Sequence, residues 1–129
     1  MTQPLDIQWP GGVHAFRLRL GEIEAIQSAT QCGPEFLLNG FRVGAWHAGH
    51  VEAVLKFGLI GGGMARSDAA SLVRATIDRG FGLALYKPAC LEILTAALYG
   101  PEDDPVGKSA APEMGAETAS AVAGSSATS

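Results

Sequence analysis

Uninterrupted apolar runs are short in this 129-residue chain, and none approaches the roughly 20 residues that a bilayer span requires. No membrane partner is therefore expected. Cysteine is scarce as well. Cys32 and Cys90 are the whole supply, too few for a disulfide framework, and nothing points to an oxidising compartment. Residues 1–20 lack a basic region leading into an apolar stretch, so no secretory signal is read there and the expected location is the cytoplasm. Clusters of bases are missing too. Residues 1–100 carry eight acids and eight bases, so the net charge of −4 arises entirely in residues 101–129, where five acids face Lys108. A neutral body is poorly suited to nucleic acid, whose affinity rests largely on phosphate neutralisation.

The last 29 residues also lack Leu, Ile, Phe, Tyr and Trp, and 20 of them are Ala, Ser, Gly, Pro or Thr. Such a segment cannot bury enough apolar area to offset roughly 1–2 kcal/mol per residue of backbone ordering. The expected division is a folded unit over residues 1–100 and a disordered acidic tail over 101–129.

Apolar residues are nonetheless plentiful, at 47% of the chain, and their spacing is informative. Leu5, Ile7 and Trp9 alternate with polar residues, as do Phe16, Leu18 and Leu20 with Arg17 and Arg19, and Pro10-Gly11-Gly12 supplies a turn between them. The pattern predicts a β-hairpin whose second strand runs to Leu20. Helical spacing follows over residues 21–31, around Phe36-Leu37-Leu38 with a stop at Gly40, and over 48–59. A fourth helix is expected after Ser67 as N-cap, and a last one begins near Pro88 with Leu91, Leu94 and Leu98 on one face. The predicted class is α+β and mostly α: an N-terminal hairpin packed on four or five short helices.

Groups able to carry chemistry are few. Gly61, Gly62 and Gly63 invite a phosphate-loop reading, but no Lys-Ser or Lys-Thr follows them and the preceding segment looks helical. They are read as a structural turn, a helix stop with left-handed backbone that also allows tight helix–helix approach. His47 and His50 have a metal-compatible spacing without enough further ligands, and a Cys–His dyad has no local signature, so no metal, cofactor or catalytic group is assigned. Glu22 and Glu24 cannot face one another on a helix. A helix-turn-helix around the glycines would present Ser67-Asp68-Ala69-Ala70-Ser71 to DNA, with an acid at its start and few groups to read bases.

The run Trp9-Pro10-Gly11-Gly12-Val13-His14-Ala15-Phe16-Arg17-Leu18-Arg19-Leu20-Gly21-Glu22 resembles the opening of the small tail proteins encoded by gene transfer agents and related prophages. Gly33-Pro34, Trp46, the block Gly58-Leu59-Ile60-Gly61-Gly62-Gly63-Met64 and the closing Ala96-Ala97-Leu98-Tyr99-Gly100-Pro101 continue the pattern in order, over about residues 7–101. That family is similar to phage tail assembly chaperones, which keep the helical tape-measure protein soluble while tail-tube subunits polymerise around it. It has also been described as a tail-tube component. The resemblance implies tape-measure and tail-tube proteins as partners, no enzymatic activity and no cofactor. The contact surface is expected at Leu59, Ile60 and Met64 beside the glycines, with Trp46 as a further candidate anchor. Oligomeric state is left open.

Overall fold

A computed structural model describes residues 3–100; the expected disordered tail, residues 101–129, lies outside the described residues. Strands β1 (Leu5–Trp9) and β2 (Gly12–Phe16) form an antiparallel hairpin in which Leu5 faces Phe16 and Trp9 faces Gly12. Gly12 has φ +119°, a conformation that only glycine adopts without strain in so tight a turn. Alternation places Ile7, Trp9 and Phe16 in the core while Asp6 and Gln8 face solvent.

The second strand stops at Phe16, short of the expected Leu20. Arg19 instead takes extended backbone as the N-cap of α1 (Leu20–Thr30), and the Glu22 carboxylate accepts its backbone N–H at 2.8 Å. This local capping bond competes with strand pairing and wins, leaving Leu20 70% exposed on the first helical turn. The chain then forms α2 (Pro34–Val43) and α3 (Ala48–Gly61). The expected stop at Gly40 is corrected: α2 runs through it and ends at Gly44, which has φ +82°. Gly40 serves close approach, because a Cβ there would lie 3.0 Å from the Ala45 carbonyl oxygen.

Helix α4 (Arg66–Asp78) is entered from extended Ala65, so the expected Ser67 cap is also corrected: Ser67 lies inside the first turn. Gly80, at φ +89°, breaks the chain into a 3-10 turn over Leu83–Tyr86, which leads into α5 (Lys87–Tyr99) with Pro88 in its first turn. Among the described residues the class is as the sequence predicts, α+β, with five α-helices, one 3-10 turn and one hairpin.

Helix α3 is the centre of the fold, packing against α1, α4, α5 and β2, while α5 also covers α2 and β1. Its Val51, Val54, Leu55 and Leu59 are fully buried with Phe16, Leu18, Phe41, Tyr86 and Leu94. At its C-terminal end it meets the hairpin backbone without side chains between them. The Arg17 N–H donates to the Gly58 carbonyl at 3.0 Å, and the Arg17 Nε to the Gly61 carbonyl at 2.9 Å. A Cβ on Gly58 would lie 2.8 Å from the Phe16 ring; one on Gly61 would overlap the Arg17 carbonyl oxygen, and one on Gly62 that of Ala15. Gly62 itself is right-handed, at φ −80°, and of the three glycines only Gly63, at φ +117°, is left-handed. The expected left-handed backbone holds only at Gly63, and the expected close approach of helix to helix is instead an approach of α3 to the hairpin, at Gly61 and Gly62.

Alanine substitutions should separate the two causes. Gly61→Ala or Gly62→Ala forces backbone apart and should cost about 3 kcal/mol or more in urea unfolding, at or beyond the upper range for overpacking. Gly63→Ala meets open space and should cost only about 1–2 kcal/mol, the strain of left-handed backbone.

Candidate functional site

The glycine block cannot cradle an anion, because its amides are already spent. Gly62 N–H donates to the Gly58 and Leu59 carbonyls at 2.9 and 3.1 Å, Gly63 N–H to Ile60 at 3.0 Å, and Met64 N–H to Leu59 at 3.0 Å. A phosphate nest needs such groups pointing outward and unpaired.

The four proposed contact residues do not form one patch. Leu59 is 1% exposed and belongs to the core; Ile60 and Met64 are half-buried against it. Trp46 is half-buried in the loop before α3, its ring tilted on Phe41 with centroids 5.6 Å apart. The length of α3, about 20 Å at 1.5 Å per residue, separates Trp46 from the other three.

At the N-terminal end of α3, the His47 and His50 rings stack with centroids 3.8 Å apart. His50 is buried, its Nε2 lies 4.0 Å from Cys32 Sγ, and its Nδ1 has no hydrogen-bond partner among the described residues. The fold thus pairs a cysteine with a histidine 18 positions away, which no local spacing could announce. The contact is too long for the base–nucleophile hydrogen bond of covalent catalysis, about 2.6–3.2 Å. Among the described residues no group of three or more His, Cys, Asp or Glu is placed to hold a metal ion. Cys90 is fully buried, and burial pushes its thiol far above the usual range, so it acts as a small apolar side chain.

Two surface features escaped the sequence reading. The first is the turn between α4 and α5, where Phe81, Leu83 and Leu85 are 41%, 37% and 58% exposed. Tyr86 holds this turn from beneath: it is fully buried, its Oη donates to the Thr76 carbonyl at 3.2 Å, and its ring lies 6.2 Å from that of Trp9. Burial also raises its phenol pKa, so the hydroxyl stays protonated and able to donate. The signal in the sequence was an apolar string, Phe81-Gly82-Leu83-Ala84-Leu85, where a turn is normally polar. The second is a groove of about 620 Å³ lined by Ala29 of α1, Gly49, Ala53 and Phe57 of α3, and Ala70 and Val73 of α4. The small side chains of Ala29, Ala53 and Ala70, with Gly49, keep it open.

What the fold and surfaces define, among the described residues, is a small hairpin-and-helix domain that exposes apolar side chains and a groove rather than an array of reactive groups. A protein-family model described as phage tail tube protein, GTA-gp10, matches residues 4–100, and the chain belongs to that family. It is thus a tail-related protein of the phage and gene transfer agent kind, a structural and assembly class. No curated protein and no solved structure matches the chain.

The buried imidazole gives the fold a pH dependence of definite sign. Burial, and secondarily His47, holds the His50 pKa below the ordinary histidine value of about 6.5. The unfolded chain therefore takes up the proton first, and stability that is complete above pH ~6.5 falls as pH drops below it. His50→Gln should flatten the urea-unfolding profile between about pH 7 and 5. Below about pH 4.5 a second loss should remain in that variant, because the bond to Arg19 lowers the Glu22 pKa and its contribution vanishes on protonation.

Proposed function

We propose that this protein is a tail assembly chaperone, which binds the tape-measure and tail-tube proteins of its particle in the bacterial cytoplasm during tail morphogenesis. The observation that carries this reading, beside the family match, is the apolar turn of Phe81, Leu83 and Leu85. Three large apolar side chains on five consecutive residues, anchored by Tyr86, give a preordered surface for the apolar face of a partner helix. Such a contact needs no cofactor and no chemistry. It shields the partner face that would otherwise self-associate. Ile60, Met64 and Trp46 offer smaller half-buried contacts at the two ends of α3, and Leu59 supports that surface from the core.

The family description favours a second reading, in which the protein is a structural component of the tail tube. There the same turn would be buried permanently between subunits.

Co-expression with the tape-measure protein of the same gene cluster tests the proposal. The partner should become soluble with the wild-type chain and remain insoluble with a Leu83→Asp/Leu85→Asp variant whose stability stays within about 0.5 kcal/mol of wild type. Equal solubilisation by the variant would remove the turn from the mechanism. Stoichiometric recovery of the protein in purified tails would establish the tube component instead.

A further inference from the structure

We infer that the groove between α1, α3 and α4 is a docking site for the chain's own acidic segment, residues 113–117 within the 29 residues that follow Gly100. The inference rests on charge and reach, and does not depend on the chaperone reading. Although residues 1–100 are neutral as a whole, bases gather at this groove. Lys56 Nζ lies 4.8 Å and the Arg66 guanidinium 5.7 Å from the centroid of the Phe57 ring in its floor, and Arg74 stands on its rim. The carboxylate on that rim, Glu52, is already engaged by Arg74 at 2.8 Å. Among the described residues neither Lys56 nor Arg66 forms an ion pair. Lys56 in the groove lining and Arg66 beside Phe57 thus present two cations, and the one carboxylate in the lining, Glu52, is engaged by Arg74.

The complementary segment is in the same chain. Glu113-Met114-Gly115-Ala116-Glu117 places two carboxylates around one unbranched apolar side chain and two small residues. Met114 suits the floor of Phe57, Ala53 and Val73, because a thioether adapts to irregular apolar surface and is attracted to aromatic rings. Glu113 and Glu117 supply the charge that Lys56 and Arg66 lack. Twelve residues lie between Gly100 and Glu113, and the thirteen steps from one to the other can span up to about 45 Å, more than the roughly 30 Å width of a 100-residue domain. Because the linkage is intramolecular, even weak attraction is exercised at high effective concentration. The segment lies outside the family-matched residues 4–100, so it adds an occupant for the groove that any partner must displace.

The test uses the full chain with a nitroxide at Thr118→Cys in a Cys32→Ser background, with paramagnetic broadening of amide NMR signals as the readout. Broadening should concentrate at Gly49, Ala53 and Ala70, and should fall at least about twofold in about 0.5 M salt, where screening acts within about 4 Å. The Glu113→Lys/Glu117→Lys variant, which leaves residues 3–100 untouched, should abolish it, as should Lys56→Glu/Arg66→Glu. Uniform broadening, broadening centred elsewhere, or insensitivity to the tail substitutions would overturn the proposal. Broadening of the same amides when unlabelled ¹⁵N chains are mixed with spin-labelled ones would overturn it in favour of a second copy.

Discussion

The end of α3 meets the exit of the hairpin backbone to backbone, and the rest of the fold depends on that contact. A two-stranded hairpin is marginal in water by itself. Here its exit is tied down by Arg17, whose main-chain N–H and guanidinium both donate to carbonyls in the last turn of α3. The Gly58 carbonyl accepts the Gly62 N–H as well, whereas the Gly61 carbonyl lies at the helix end, where intrahelical partners run out, so one arginine holds the hairpin and caps the helix. The approach is possible because Gly58, Gly61 and Gly62 carry no Cβ. With the hairpin seated, Trp9 and Phe16 meet edge to face at 6.1 Å, and Trp9 reaches Tyr86 under the start of α5. A continuous core then runs from the first strand to the last helix.

The same constraint decides which surfaces remain for partners. Helix α3 is surrounded by α1, α4, α5 and β2, so nearly all its large side chains are committed to the interior. What is left is its N-terminal half facing the groove, and the turn that carries the chain from α4 to α5. Neither feature brings together reactive groups. Both suit recognition by shape, apolar area and charge, in keeping with a phage tail protein family. The buried His50 and the Arg19–Glu22 pair sit at opposite ends of α1 and α3, and both make stability depend on pH.

Much of this architecture was legible in the sequence. Alternation in Leu5, Ile7 and Trp9 marks the first strand, and Val51, Val54, Leu55 and Leu59 mark the central helix, because both patterns follow directly from the period of the element. Boundaries were harder wherever a long-range or capping contact overrode a local preference. Arg19 ends the strand pattern by capping α1 with Glu22, Gly40 stays helical because Ala45 packs over it, and Ser67 is passed over as a cap for Ala65. The glycine block was recognised as structural, but its reason lies in Ala15 and Arg17, more than 40 positions away. Surface function was the least legible. Leu59 looks in sequence like a contact residue and is core, whereas Phe81, Leu83 and Leu85, which no spacing or motif singled out, are exposed.

The most direct measurement of the central claim is native-state hydrogen exchange at the Arg17 amide. If the contact between hairpin exit and α3 organises the fold, this proton, bonded to Gly58, exchanges only through global unfolding, with the same protection free energy as Val54 and Leu55 in the middle of α3. Exchange of Arg17 through a local opening, with the hairpin detaching while α3 stays protected, would contradict the account.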